Sequence, residues 1–162
     1  MSAAFRFGTA GLLLFVSLAA SSSGLRAEAG PFAILDGTWS GEGNITTSGG
    51  LRERLRCRAT YKSAESGDHV RLALRCASDS YNFDLAGDVD HRNGAISGSW
   101  TEASRKAAGT ISGRVNGDQI EANAKGDTFS VNLSLTTRGN RQAVTIQSLA
   151  AEVTNVTVTL SK

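Results

Sequence analysis

Apolar and polar residues alternate at a period of two along most of the chain from residue 35 onward. Because successive side chains of a strand point to opposite faces, this period predicts half-buried β-strands rather than helices. Turn-forming residues separate the alternating stretches, and Asn93-Gly94 and Asn116-Gly117 are the strongest hairpin signals. Nine turns of this kind delimit ten strands. Such short connections predict an antiparallel up-and-down meander.

Folding each neighbouring pair of strands about its turn tests whether one apolar face persists around the sheet. Cys57 then falls opposite Cys76, and Trp100 falls between Gly87 and Gly109. The other pairs predicted in this way include Trp39 with Cys57, Gly43 with Glu53, Cys76 with Tyr81, Gly113 with Ile120, Ala124 with Phe129, Leu133 with Ile146 and Val144 with Val158. Large side chains that face glycine or alanine are typical of a tight barrel interior. The sequence therefore predicts an all-β fold, a single antiparallel up-and-down β-barrel of eight to ten strands.

The beginning of the chain has the pattern of an export signal over residues 1–29. Arg6 supplies a positive start, residues 11–20 form a short apolar core, and Ala27 and Ala29 give the small-x-small cleavage pattern. We place cleavage after Ala29, treat residues 30–34 as an N-terminal linker and assign residues 35–162 to the barrel. No later stretch is long and apolar enough to predict a membrane-spanning helix. These features predict a periplasmic or secreted protein.

Composition adds a charge distribution and a cysteine pair. The chain has 17 basic and 15 acidic side chains, a near-neutral balance that does not indicate a nucleic-acid partner. Cys57 and Cys76 are the only cysteines, and an even pair in an oxidising compartment predicts a disulfide. His69 and His91 are too few to predict a metal site, and no cofactor is expected. Residues 88–94, "DVDHRNG", resemble a calcium loop but are better interpreted as a hairpin turn.

Two stretches carry family resemblances. "GTWSGEG", Gly37 to Gly43, resembles the first strand of a lipocalin or calycin barrel, with Gly37 and Trp39 in the family's Gly-x-Trp pattern, and "GSW" repeats the pattern at residues 98–100. The resemblance implies a lipocalin-like barrel and a cation from the last strand stacked on that tryptophan, although residues 153–160 contain none. "LRERLRCRATY", "LRCASDSYNFDL" and "LTTRGNRQAVTI" also resemble small uncharacterised exported proteins of Gram-negative bacteria, which implies an envelope location.

The leading hypothesis is a non-enzymatic binding protein that holds a small apolar or amphipathic ligand inside the barrel. Seven side chains are predicted to face such a ligand: Trp39, Glu53, Tyr61, Tyr81, Phe83, Trp100 and Phe129. The inward-facing Glu53 is either a polar ligand anchor or a solvated group at the barrel mouth. The many glycines opposite large side chains leave open that the interior is simply filled.

A row of arginines on one strand supports a second hypothesis. Arg52, Arg56 and Arg58 share the outward face of residues 51–62, and Arg75 falls beside Arg58 on the next strand. Arg52, Arg56 and Arg58 are predicted to have no acid directly opposite. The row is either a solvated face or a surface that binds an anionic envelope polymer or an acidic protein, including an inhibitor-like role. A hydrolase is a weaker third hypothesis, because no serine lies in a Gly-x-Ser-x-Gly elbow.

Overall fold

The computed structural model describes residues 28–148 and 152–162. Residues 1–27 of the predicted export signal, and most of the last predicted turn, lie outside the described residues. The strands are β1 (Gly37–Thr47), β2 (Arg52–Ser63), β3 (His69–Ala77), β4 (Asn82–Arg92), β5 (Ala95–Glu102), β6 (Ala107–Asn116), β7 (Gln119–Gly126), β8 (Ser130–Arg138), β9 (Arg141–Ser148) and β10 (Val153–Ser161). A short 3-10 helix, Ala33–Leu35, precedes them. No helix in the described part of the chain could cross a membrane.

The ten strands form one closed antiparallel barrel. Each strand pairs with its neighbours in sequence, and β10 pairs with β1 to complete the ring. The predicted fold class is therefore confirmed, at the upper limit of the expected strand number. Closure matters for solubility, because it leaves no strand edge available to pair with another chain.

Five of the nine predicted hairpin registers are confirmed. These are β2–β3, β4–β5, β5–β6, β8–β9 and β9–β10. Cys57 lies directly opposite Cys76 and forms the predicted disulfide with it. Trp100 lies between Gly87 and Gly109 as expected. At the β4–β5 turn both Asn93 and Gly94 have positive φ angles, 51° and 82°, as a type I′ turn requires.

The other four registers, β1–β2, β3–β4, β6–β7 and β7–β8, were predicted wrongly, each by two residues. The true centre of each turn lies one position later than the sequence suggested. At β3–β4, for example, the turn takes in Ser78 to Tyr81, and the Ser78 N–H donates to the Tyr81 carbonyl. Cys76 consequently pairs with Phe83 rather than with Tyr81. Likewise Gly113 pairs with Ala122 and Ala124 with Val131.

The β1–β2 correction changes two predicted contacts. Trp39 lies opposite Ala59 rather than Cys57, and Glu53 lies opposite Ile45 rather than Gly43. The interior face is nevertheless the predicted one, because a shift of two residues returns every side chain to the same side of the strand. The deepest burial is found where β1, β2 and β10 meet, around Ile45, Leu55 and Leu160.

Candidate functional site

The two ends of the barrel differ. At one end, which we call the closed end, the segment before β1 folds across the opening. Phe32 N–H donates to the Gly67 carbonyl, and Gly30 N–H donates to the Ser66 carbonyl, so the segment is hydrogen-bonded to the β2–β3 turn. Phe32 and Leu35 are almost fully buried. Residues 30–34, assigned to a linker from the sequence, therefore carry part of the core.

Trp39 belongs to this closed end. Its indole Nε1 donates to the Leu35 carbonyl at 2.7 Å, and the residue is completely buried. The Lys162 ammonium lies over the indole, 5.0 Å from the ring centroid. A cation therefore does stack on this tryptophan, in the position that the Gly-x-Trp resemblance implied. Sequence analysis missed it because Lys162 follows the last strand, one residue beyond Ser161.

Tyr61 is also committed to internal contacts at the closed end. Its hydroxyl donates to Gln142 Oε1 at 2.9 Å, and Gln142 Nε2 donates to Thr137 Oγ1 at 3.2 Å. Burial of the phenol raises the pKa of Tyr61 well above its usual value, so the side chain is neutral. Trp39 and Tyr61, both predicted as ligand contacts, therefore help to seal the barrel.

The apolar side chains in the middle of the barrel are less buried than those at the closed end. Inward-facing apolar side chains halfway along the strands from β3 to β9 are only partly buried, although they point to the barrel axis: Leu72, Leu74, Val89, Ile111, Ala122, Leu133, Val144 and Ile146. Side chains in a filled interior would be inaccessible at this depth. A ten-stranded barrel is also wider than the eight-stranded barrels whose interiors side chains just fill. We infer from this partial exposure that the interior is an apolar chamber, and the function proposed below rests on that inference.

The opposite end, which we call the mouth, carries the turns β1–β2, β3–β4, β5–β6, β7–β8 and β9–β10. Trp100 and Phe129 pack together here with ring centroids 5.5 Å apart. Arg105 places its guanidinium 4.8 Å from the centroid of Phe83. Two inward-facing polar atoms near this end, Trp100 Nε1 and Ser148 Oγ, are buried and find no hydrogen-bond partner within the described part of the chain. Buried polar atoms are normally paired, so both are available to a bound group or to water.

Glu53 is held at the mouth by the β3–β4 turn. Its Oε2 accepts hydrogen bonds from the Ser78 hydroxyl at 2.7 Å and from the Ser80 N–H at 2.9 Å. Hydrogen bonds from Ser80 and Ser78 lower the pKa of Glu53, with burial opposing them weakly. Glu53 is therefore an ionised, fixed carboxylate.

Tyr81 spans the mouth. Its hydroxyl donates to Glu152 Oε1 at 2.7 Å. The β3–β4 and β9–β10 turns that carry the two residues are four strands apart in the ring of ten, so the contact bridges nearly opposite walls. The hydrogen bond to Glu152 raises the pKa of Tyr81, and the phenol is neutral. Nothing in the local sequence indicates this contact, because the two residues are 71 positions apart.

Glu102 is a buried carboxylate that sequence analysis did not single out. It is 5% exposed and accepts hydrogen bonds from the N–H groups of Asp84, Ser104 and Arg105. Burial raises the pKa of Glu102, but these backbone donors outweigh it and the net shift is downward. The side chain therefore fixes the β5–β6 turn at the mouth.

The predicted arginine row lies on the outer wall, remote from the chamber. Arg56, Arg58 and Arg75 line a shallow groove together with Asn82, Asp84 and Ser104. More of the positive charge in this groove is neutralised by acidic side chains than the sequence predicted. Glu42 lies directly opposite Arg56, with 3.6 Å between Arg56 Nε and Glu42 Oε1, and Arg75 Nε lies 3.2 Å from Asp84 Oδ2. The prediction that Arg56 has no acid opposite was therefore wrong, because the β1–β2 turn is centred one residue later.

Two members of the row remain without an ion pair. Arg58 faces Ser40 on one side and Arg75 on the other, as the confirmed β2–β3 register requires. Within residues 28–148 and 152–162, neither Arg58 nor Arg52 forms an ion pair. The structure thus leaves two guanidinium groups available on this surface.

The two histidines lie at the closed end as members of Asp–His pairs. His69 Nδ1 is 3.0 Å from Asp90 Oδ1, and His91 Nδ1 is 2.9 Å from Asp68 Oδ1. Asp88 of the calcium-like stretch pairs with Arg71. Among the described residues no cluster of three or more His, Cys, Asp or Glu side chains is placed to hold a metal ion.

Two solved structures share this architecture. Rv2717c from M. tuberculosis superposes with a TM-score of 0.65 at 13% identity, over 80% of this chain and 93% of that one. The S-type phycobiliprotein lyase CPES from Guillardia theta gives 0.54 at 9% identity, over 80% and 87%. Both are ten-stranded barrels of the calycin or lipocalin-like type. No protein-family model and no curated sequence matches the chain. At these identities the likeness establishes the fold, and the resemblance to exported Gram-negative proteins stays a prediction.

Proposed function

We propose that the protein binds a small apolar or amphipathic ligand in the barrel chamber, with access through the mouth. The observation that carries this proposal is the partial accessibility of apolar side chains at mid-barrel, such as Ile111 and Leu133, while Phe32 and Leu35 seal the other end. An apolar chamber with one polar opening favours a ligand whose body is apolar and whose polar group faces solvent. Phe83, Trp100 and Phe129 would contact that ligand near the mouth.

We infer a binding role rather than an enzymatic one. The two carboxylates on the interior face near the mouth, Glu53 and Glu102, are engaged by hydroxyl and backbone donors that lower the pKa of each. A general acid or base works best with a pKa near the working pH, and these shifts go in the opposite direction. The phycobiliprotein lyase is only 9% identical to this chain, so its activity is not assigned to this chain.

We also propose that the protein works outside the cytoplasm. The pattern of residues 1–29 supports export. The Cys57–Cys76 disulfide is compatible with this location, because such bonds persist in oxidising compartments.

The binding proposal is tested with N-phenyl-1-naphthylamine, a neutral apolar dye whose emission rises in apolar surroundings. Ala122 faces the chamber from β7, and Ala108 is exposed on the outer face of β6. We expect Ala122→Phe to weaken dye binding by about tenfold or more by occupying the chamber, and Ala108→Phe to leave it unchanged. If Ala122→Phe does not fold, Ala124→Leu places a smaller obstruction on the same strand. Equal binding by wild type and both kinds of variant, or no binding by wild type, would contradict the proposal.

The unpaired Arg58 and Arg52 favour a second candidate function, capture of an anionic polymer along the arginine row of β2. Arginine binds oxyanions with two hydrogen bonds at once, and same-face neighbours on a strand lie about 6.6–6.8 Å apart, a spacing that suits repeated sulfates or phosphates. The arginines of the groove are exposed, which leaves them reachable.

Heparin chromatography tests this candidate with two triple variants that change net charge equally. One carries Gln at Arg52, Arg56 and Arg58, and the control carries Gln at Arg92, Arg114 and Arg141, which are exposed elsewhere on the barrel. Elution of the first variant alone at lower salt is expected, since binding by guanidinium groups weakens with ionic strength. If the two variants elute together, the row contributes only its share of net charge.

A further inference from the structure

We propose that the mouth selects ligands with a positively charged head group, so that the preferred ligand class is a cationic amphiphile such as a long-chain primary amine. This inference rests on the proposed binding in the chamber and adds the chemistry of the ligand head. It follows from the charges at the mouth, from the geometry of the Tyr81–Glu152 contact, and from a buried hydroxyl at the same end.

Negative charge is in excess at the mouth. The described turn residues and the inward-facing strand ends there carry five carboxylates against two bases, which leaves three negative charges uncompensated: Glu53, Asp79, Glu102, Asp127 and Glu152 against Arg105 and Lys106. Arg105 is partly occupied, because its NH1 lies 3.7 Å from Glu102 Oε2 and donates to the Asn82 carbonyl at 3.1 Å. A carboxylate head group would therefore meet net repulsion, and an ammonium head group net attraction.

Tyr81 connects the β3–β4 side of the mouth to the carboxylate of Glu152. Glu152 Oε1 accepts the Tyr81 hydroxyl, and Glu152 Oε2 has no hydrogen-bond partner among the described residues. Glu53 accepts hydrogen bonds from Ser78 and Ser80, in the same turn as Tyr81, so a second carboxylate lies on this side of the mouth. A ligand leaving the chamber axis toward solvent would pass this bridge, so its head group would lie within reach of a free carboxylate oxygen and beside the phenol ring. An aromatic ring attracts a cation over its face.

Ser148 supplies a second, independent polar group for a ligand at the mouth. It is the last residue of β9, four positions before Glu152, and it lies on the inward-facing side of the strand with Val144 and Ile146. The side chain is 6% exposed, and among the described residues its Oγ has no hydrogen-bond partner. A buried hydroxyl in this state is uncommon in native structures, and it can accept a hydrogen bond from an ammonium or alcohol head group.

The test compares three ligands with the same twelve-carbon tail: dodecylamine, dodecan-1-ol and dodecanoate. Each displaces N-phenyl-1-naphthylamine from the full-length mature protein at pH 7. We expect the amine to bind at least about tenfold more tightly than the alcohol, and the alcohol more tightly than the carboxylate. Added salt should reduce the preference, because the mouth is solvated.

Glu152→Gln supplies the matched variant, since the amide oxygen can still accept the Tyr81 hydroxyl. We expect it to reduce the preference for the amine over the alcohol to about threefold or less. Glu121→Gln, exposed on the outer face of β7, is the control and should retain the full preference.

Equal affinity for the amine and the alcohol, tighter binding of dodecanoate, or an unaltered preference in Glu152→Gln would overturn this inference and leave ligand binding intact. Failure of all three ligands to displace the dye would count against both proposals.

Discussion

The position of Trp100 is set by the glycines around it. The indole crosses the inner surface of β6 and β7, where Gly109 and Gly126 pair with each other and leave room for a large ring. A Cβ at Gly109 would lie 2.9 Å from Trp100 Nε1 and only 1.9 Å from the Lys125 carbonyl oxygen. A Cβ at Gly87, on the other side of Trp100, would meet Leu72 at an ordinary 3.7 Å. The two glycines that flank Trp100 are therefore not equivalent.

This difference predicts unequal costs for adding a side chain at the two positions. Gly109→Val should lower the free energy of unfolding by about 3 kcal/mol, because backbone as well as the indole must move. Gly87→Ala should change it by less than about 1 kcal/mol. Urea denaturation of the two variants measures both values. Equal costs would show that β5, β6 and β7 are not packed in this register.

Tyr61 predicts an alkaline limit to stability. Its pKa is raised in the folded protein, whereas the unfolded chain releases the proton near pH 10. The associated stability is therefore complete below pH 10 and is lost as the pH rises from there toward the folded pKa. Tyr61→Phe should be less stable than wild type at pH 7, because it leaves Gln142 Oε1 without its donor. Above pH 10 its stability should fall less steeply, by about 1.4 kcal/mol per pH unit. Parallel curves from urea denaturation at pH 9 to 11.5 would contradict the buried phenol.

At the level of elements, the segment before β1 works as a plug for the closed end. Phe32 packs edge-on against His91 with ring centroids 6.3 Å apart, and Ser63 N–H donates to Asp36 Oδ1. The segment thus contacts both the β4 and the β2 sides of the opening. Removing its main anchor should weaken the whole barrel.

Phe32→Ala should lower the free energy of unfolding by about 3–5 kcal/mol, the usual cost of emptying a buried aromatic site. Ile34→Ala in the same segment is the control, because Ile34 is 47% exposed, and it should cost less than about 0.5 kcal/mol. Chemical denaturation distinguishes the two. A small effect of Phe32→Ala would mean that the plug is not part of the folded core.

The Cys57–Cys76 disulfide joins β2 to β3 directly across the ladder. Cys57→Ser should lower stability by roughly 2–5 kcal/mol, mostly because the unfolded chain regains freedom. Thiol titration of the oxidised wild-type protein under denaturing conditions should find no free thiol. Two titratable thiols in material recovered from an oxidising compartment would contradict the proposed location.

The hairpins show which parts of the fold the sequence predicts and which it does not. Alternation and the requirement for one apolar face were enough to predict the barrel, the interior side of each strand and five registers. Asn-Gly could not distinguish two kinds of turn: at Asn93-Gly94 both residues have positive φ, whereas at the β6–β7 turn Gly117 is the first loop residue and Asn116 stays in the ladder. Each arrangement suits a two-residue hairpin, so the choice depends on packing that a single strand pair does not contain.

The contacts at the mouth and at the plug could not be predicted from neighbouring residues. Tyr81 with Glu152, and Lys162 with Trp39, are contacts between side chains far apart in sequence. They form only because β10 closes onto β1, which brings the turns and the chain ends together at the two ends of the barrel. Trp39 and Tyr61 were predicted as ligand contacts from their inward direction alone, and direction does not specify which end of a barrel is sealed.

For the molecule as a whole, the central claim is that the barrel interior is an apolar chamber closed at one end and occupied by a ligand that enters at the other. The ten-stranded ring supplies the width, the plug supplies the seal, and the charged bridge of Tyr81 and Glu152 lies over the opening. The surface groove around Arg58 is separate from this chamber and is tested separately.

A crystal of the protein grown with 12-bromododecan-1-ol would show where the ligand binds, because anomalous scattering locates the bromine at the end of the tail. We expect a bromine peak inside the barrel, among Leu72, Ile111, Leu133 and Ile146, with the hydroxyl end toward Tyr81. Bromine found only on the outer wall, with these side chains packed against one another across the axis, would contradict the central claim.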